Sequence, residues 1–228
     1  MRAFLSRIYQ SRKIRPVLGY YGLWVSLTYL SVISAVIGVG FAFQGDWKYS
    51  LVCLVISGMC DSFDGRIARL NKKRNERAIH YGIQIDALAD LISFGALPAA
   101  IGYALMRETG GINALNAVIF AIYVLAALIR LAYFNVMETE VMGKKEKRVY
   151  YEGLPTTSAA LIITFVYCIC DIFNYSFASI YPVLLAVISI AFVLRFKIPK
   201  PRGISMAVLC LIAAPVVIYI LLSSLGWI

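Results

Sequence analysis

Charged residues are scarce in this chain. They make up 15% of its 228 residues, against roughly 25% in an ordinary soluble domain, and that scarcity excludes a water-facing surface of normal extent. Histidine occurs once, at His80; a lone loop histidine is solvated more often than ligating, and it is given no role. The five cysteines (Cys53, Cys60, Cys168, Cys170 and Cys210) lie in apolar segments. None has the spacing of a disulfide framework or a zinc site, so they read as small buried hydrophobes. Internal repeats, low-complexity tracts and linkers are also lacking, which leaves one domain. The first residues are basic and interrupted by charge throughout, so no cleavable signal peptide is expected.

What is present is apolar. Hydrophobic residues make up 61% of the chain and mean hydropathy is +0.79, the composition of a polytopic α-helical membrane protein. Arg2, Arg7, Arg12, Lys13 and Arg15 alternate with Phe4, Leu5, Ile8 and Tyr9, which suits an amphipathic helix at the membrane surface over 1–22. Bilayer-length spans are predicted near 23–43, 48–70, 84–106, 113–136, 155–174, 177–195 and 204–225.

The net charge of +10 is no sign of nucleic acid, because the basic residues sit in short loops. Lys72, Lys73, Arg74 and Arg77 fall between spans two and three, and Lys144, Lys145, Lys147 and Arg148 between four and five. Arg195, Lys197, Lys200 and Arg202 follow span six, while the alternate loops hold only Lys48 and Arg107. The asymmetry predicts a multi-pass cell-membrane protein with a cytoplasmic N-terminus and contact with anionic lipid.

Against this background, residues 61–90 are anomalous. Asp61 and Asp64 are three apart, and Asp86 and Asp90 four apart, so each pair falls on one face of a helix. Acidic residues at membrane depth are costly and mark function. On the first helix Gly65 and Ala68 share the aspartates' face and would admit a bulky group, with Arg69 suited to gripping a phosphate. All-oxygen ligands favour Mg²⁺ or Mn²⁺ over zinc. Four carboxylates can clamp a phosphoryl group between two such ions, or one can take a proton from an attacking hydroxyl. Interfacial salt bridges to Arg66, Arg69 or Lys72 are the bland alternative, and a cation or proton-coupled transporter the rival of another class. Clustering at one membrane face, beside a phosphate-suited arginine, favours the enzyme.

The run Asp61-x-x-Asp64-Gly65-x-x-Ala68-Arg69, followed by Gly82-x-x-x-Asp86-x-x-x-Asp90, resembles the signature of the CDP-alcohol phosphotransferases. The resemblance implies integral-membrane enzymes, usually homodimers, with six core spans and two divalent cations. They move a phosphatidyl-type group from a CDP-linked lipid to an alcohol and release CMP. It further implies that Asp61, Asp64, Asp86 and Asp90 ligate metal and that Asp90 is also the general base. Gly65, Ala68, Arg69 and Asp61 would hold the CDP moiety, with Thr28 a further nucleotide contact. The expected organisation is then a surface helix over 1–22, the family's membrane domain over 23–202 and an additional transmembrane helix over 203–228. The connection 70–81 is longer than the family's usual one by about one helical turn, and Ile79 stands where it often has Ser or Thr.

Further stretches resemble the phosphatidylserine synthase branch: ADLISFG at 89–95 with Pro98, ALIRLAYFN at 127–135, YEGLP at 151–155 and FKIPK at 196–200. In the third, Thr156 and Thr157 replace a more usual Ser-Pro. The substrates so implied are CDP-diacylglycerol and L-serine; glycerol phosphate or an inositol phosphate is the alternative acceptor. Arg130, an arginine in an apolar span, needs an anionic partner, which a substrate carboxylate would provide; Asn135 could add a polar contact.

Overall fold

The structure is a computed structural model that describes residues 19–70, 76–144, 150–195, 197–199 and 218–219. Its elements, in chain order, are α1 (Leu23–Gln44), α2 (Trp47–Leu70), α3 (Glu76–Asp90), a π-helical turn (Leu91–Ala96), α4 (Leu97–Glu108) and α5 (Ala114–Lys144). There follow β1 (Tyr150–Glu152), α6 (Ser158–Ile172), α7 (Phe177–Val193) and β2 (Lys197–Pro199). Residues 1–18 of the predicted surface helix lie outside the described residues, and its last four, 19–22, are not helical. The predicted seventh span also lies outside the described residues, apart from two helical residues at 218–219.

Among the described residues, three helical runs are long and apolar enough to cross a bilayer: Val25–Gln44, Arg77–Glu108 and Ala114–Thr139. α6 and α7 are apolar but shorter, and α2 carries the aspartates and basic residues of the signature. The result is a bundle of apolar helices compatible with a membrane.

α1 and α2 form an antiparallel hairpin closed by a tight turn. Gly45 takes a left-handed φ of 96°, which glycine adopts at no steric cost. The Gly45 and Asp46 amides then close on Ala42 O and Phe41 O. The two helices approach closely: a Cβ at Gly38 would stand 2.8 Å from Cys53 Cβ. Between them, serine hydroxyls donate across to backbone carbonyls: Ser34 to Cys53 O at 3.0 Å, Ser50 to Gly38 O at 2.8 Å, and Ser57 to Ser31 O at 3.0 Å. Small residues with interhelical hydroxyl bonds are the means by which apolar helices associate where the hydrophobic effect offers nothing.

The third run changes helix type immediately after Asp90. The Leu97 amide bonds Ile92 O, five residues back, and Pro98 follows. Proline has no N–H to give Phe94 O, its partner in a regular α-helix. The Tyr123 hydroxyl of α5 donates to Phe94 O instead, at 2.6 Å. The Tyr181 hydroxyl of α7 donates to Pro98 O at 2.7 Å. Two buried tyrosines thus satisfy the irregular stretch from outside it.

At the other end of the bundle Trp47, Tyr167 and Phe177 pack ring against ring, and Phe177 meets Tyr181.

Among the described residues, the all-helical expectation is departed from in one place. β1 and β2 pair antiparallel, with Tyr150 opposite Pro199, Tyr151 opposite Ile198 and Glu152 opposite Lys197. This ribbon ties the loop between α5 and α6 to the chain following α7.

Candidate active site

The Trp47 indole donates to Glu108 at 2.8 Å, fixing one end of α2 level with the far end of α4. From that level Asp61 is 14 residues along α2, about 21 Å, and Asp90 is 18 residues along the other run, about 27 Å. A hydrocarbon core is about 30 Å thick. The carboxylates therefore stand towards the opposite end of the bundle from Trp47, about 21–27 Å along the helices.

Helical spacing turns all four towards one another. Asp61, Asp86 and Asp90 each place a carboxylate oxygen within 4.8 Å of the other two. Asp64 lies beside Asp86, as Asp61 does beside Asp90, so the cluster is two pairs, each with one carboxylate from α2 and one from α3. Asp64 is buried and accepts the Thr28 hydroxyl of α1 at 3.0 Å.

Four carboxylates in so small and poorly hydrated a space need compensating positive charge. The donors are all hard oxygen. Oxygens bound to one Mg²⁺ at about 2.0–2.1 Å lie no more than about 4.2 Å apart, so a cation and a small adjustment of side chains suit the spacing observed. The residues present fit divalent metal.

Two further contacts come from far along the chain. Thr157 donates to Asp61 Oδ2 at 2.6 Å, and Thr156 to Asp90 Oδ2 at 3.1 Å. Both threonines lie in the turn that enters α6. In the sequence they stand out only as a hydroxyl pair after Gly153-Leu154-Pro155, with nothing to aim them at the aspartates. Below the cluster, Ser93 of the π turn meets Ser31 Oγ at 3.1 Å, in a buried polar layer joining α1, α2 and the π turn.

The other sequence-derived positions are distributed as follows. Gly65 is exposed on α2 next to Asp64. Ala68 and Arg69 continue the same helix, with side chains outside the described set. Asn135 donates to Gln84 Oε1 at 3.4 Å, an exposed link from α5 to α3. Arg130 is buried on α5, its guanidinium 4.5 Å from the Phe134 ring centre and 5.9 Å from that of Phe192. Its Nη1 would stand 3.4 Å from a Cβ at Gly153, so Arg130 packs beneath the loop that carries the two threonines. A tyrosine group borders Thr28 and Gly82: Tyr29 donates to Tyr20 O at 3.1 Å and meets the Tyr81 hydroxyl at 3.0 Å.

Comparison with known proteins agrees with this geometry. Over 119 residues the chain is 40% identical to the CDP-diacylglycerol–serine O-phosphatidyltransferase of Saccharomyces cerevisiae, covering 50% of this chain and 40% of that protein. It is 28% identical over 138 residues to the Mycobacterium leprae protein of the same name, covering 60% and 44%. It is 30% identical over 142 residues to the archaetidylserine synthase of Methanothermobacter thermautotrophicus, covering 62% and 55%. The chain thus spans about half the length of the curated relatives it matches. The family profile described as CDP-alcohol phosphatidyltransferase matches residues 25–195, which contain every aspartate and threonine of the cluster. The chain belongs to the CDP-alcohol phosphatidyltransferase family.

Proposed function

We propose that the protein transfers the phosphatidyl group of CDP-diacylglycerol to the hydroxyl of L-serine, forming phosphatidylserine and releasing CMP. The observation that carries this reading is the convergence of Asp61, Asp86 and Asp90 across two helices on the family's signature positions. The serine acceptor rests on the three relatives compared, all of which are named for products or reactions of serine.

Asp61, Asp64, Asp86 and Asp90 would hold two divalent cations, Mg²⁺ or Mn²⁺, which when bound supply positive charge to the phosphoryl oxygens and the departing CMP. Asp90 accepts the proton of the serine hydroxyl as its oxygen attacks the lipid-bearing β-phosphorus. The bond from that phosphorus to the bridging oxygen breaks, and the electron pair leaves on CMP. Gly65 and Ala68 offer a face without bulk for the CDP moiety, with Arg69 and Thr28 as its polar partners. Arg130 would balance the serine carboxylate, with Asn135 as a further polar contact.

The bundle sits in the cell membrane as a multi-pass homodimer with six core spans. Its N-terminus and site face the cytoplasm, where the basic loops meet anionic lipid. Domain limits of 1–22, 23–202 and 203–228 accompany this reading.

The test is incubation of the purified full chain with CDP-diacylglycerol and a panel of alcohols, reading CMP release. Serine should be the productive acceptor. Turnover with glycerol phosphate or inositol phosphate alone would reassign the acceptor; liposome cation flux without any need for CDP-lipid would replace the enzyme by a transporter.

A further inference from the structure

Thr157 occupies the N-cap position of α6, where a threonine ordinarily turns its hydroxyl onto the first-turn amides. It makes no such side-chain cap. The hydroxyl goes instead to Asp61 Oδ2 at 2.6 Å, across 96 residues of sequence. Its neighbour Thr156, itself buried, makes the corresponding bond to Asp90 Oδ2 at 3.1 Å. Consecutive residues of one turn therefore hold one carboxylate on each of the two signature helices.

The turn is fixed from behind. Gly153 has a φ of 75°, and a Cβ there would stand 3.0 Å from Leu194 O, so the chain passes hard against the end of α7. The Leu154 amide donates to Ala191 O at 3.4 Å. Upstream, β1 is paired with β2. On the far side, Gly58 of α2 leaves room for Ala160 Cβ and Thr157 Cγ2, which a Cβ at Gly58 would meet at 3.3 and 4.0 Å. The turn is thus wedged between α7 and α2 at the height of the carboxylates.

We propose that Thr156 and Thr157 are positioning residues for the reaction described above. Thr157 orients Asp61 for metal, and Thr156 orients Asp90 for proton transfer. An aspartate side chain has two free torsions, and a hydroxyl on one oxygen selects the rotamer that presents the remaining lone pairs to the site. The inference rests on the proposed function for its chemistry. Its contacts, and the metal arm of its test, do not depend on which alcohol or nucleotide is used.

The experiment compares T157V, T157S, T156V and T156S in the purified full chain with wild type. Three quantities are read: Mn²⁺ binding without substrate, by electron paramagnetic resonance of the free ion; kcat and KM for CMP release; and the thermal unfolding temperature. Partners that orient metal ligands are worth about 10–100-fold in metal affinity or activity. T157V should therefore weaken Mn²⁺ binding by about 10-fold or more, and T157S should recover most of it. T156V should lower kcat by about 10-fold or more at unchanged KM for the CDP-lipid, with recovery in T156S.

If T157V does not purify, T157A carries the same comparison. Equal losses in the serine and valine variants would overturn the proposal, as would unchanged Mn²⁺ binding in T157V beside a lowered unfolding temperature. A wild-type protein that releases no CMP with any alcohol would refute the proposed reaction, while the Mn²⁺ measurement would still decide the role of Thr157.

Discussion

The Thr28 hydroxyl of α1 donates to Asp64 Oδ2 at 3.0 Å in a buried setting. The first helix, which supplies no carboxylate, thereby reaches into the cluster. Replacing Thr28 by Val preserves shape but removes the donor, leaving a buried carboxylate oxygen without its hydrogen bond. Thr28→Val should raise the Mn²⁺ concentration for half-maximal CMP release by about 10-fold or more, measured by titration of chelator-treated protein. An unchanged titration would detach Thr28 from the site.

Asp90→Asn keeps the size of the side chain and removes its basicity. General base catalysis contributes about 10²–10⁴-fold, so CMP release should fall by at least that factor while the thermal unfolding transition is retained. Activity near that of wild type would remove Asp90 from the role of base.

Tyr123→Phe leaves Phe94 O without its external donor, where Pro98 already withholds the helical one. A lost hydrogen bond to a buried carbonyl costs about 0.5–1.5 kcal/mol. The variant should unfold at lower temperature in detergent, and the π turn joining Asp90 to α4 should lose definition. No change in unfolding would show that the tyrosine bond is dispensable.

Gly153→Ala places a Cβ at a φ of 75° and 3.0 Å from Leu194 O. The left-handed conformation alone costs a non-glycine residue about 1–2 kcal/mol, and the turn must shift to relieve the contact. Since Thr156 and Thr157 follow within four residues, CMP release should fall further than stability does. A loss of stability with full activity per folded molecule would contradict that coupling.

The carboxylate cluster was legible in the sequence because its grammar is local. Spacings of three and four residues fix a helical face, and acids within apolar spans are rare enough to stand out. The threonines were not legible as partners. Each lies 66 or 96 residues from the aspartate it contacts, and a threonine at the start of a helix reads as a cap. The β1–β2 ribbon was missed because three-residue strands on basic loops carry no alternating pattern to detect. The π turn left one sign, Pro98, whose missing N–H required a substitute donor. That the donor is Tyr123 depends on how α5 packs, which no local pattern states.

The most direct measurement is CMP release by the chelator-treated full chain in bilayers containing CDP-diacylglycerol, titrated with Mn²⁺ in the presence and absence of L-serine, alongside Asp61→Asn. The account predicts release that requires both serine and metal, yields phosphatidylserine in equal amount, and is nearly abolished in Asp61→Asn. Metal-independent release, or full activity in Asp61→Asn, would contradict it.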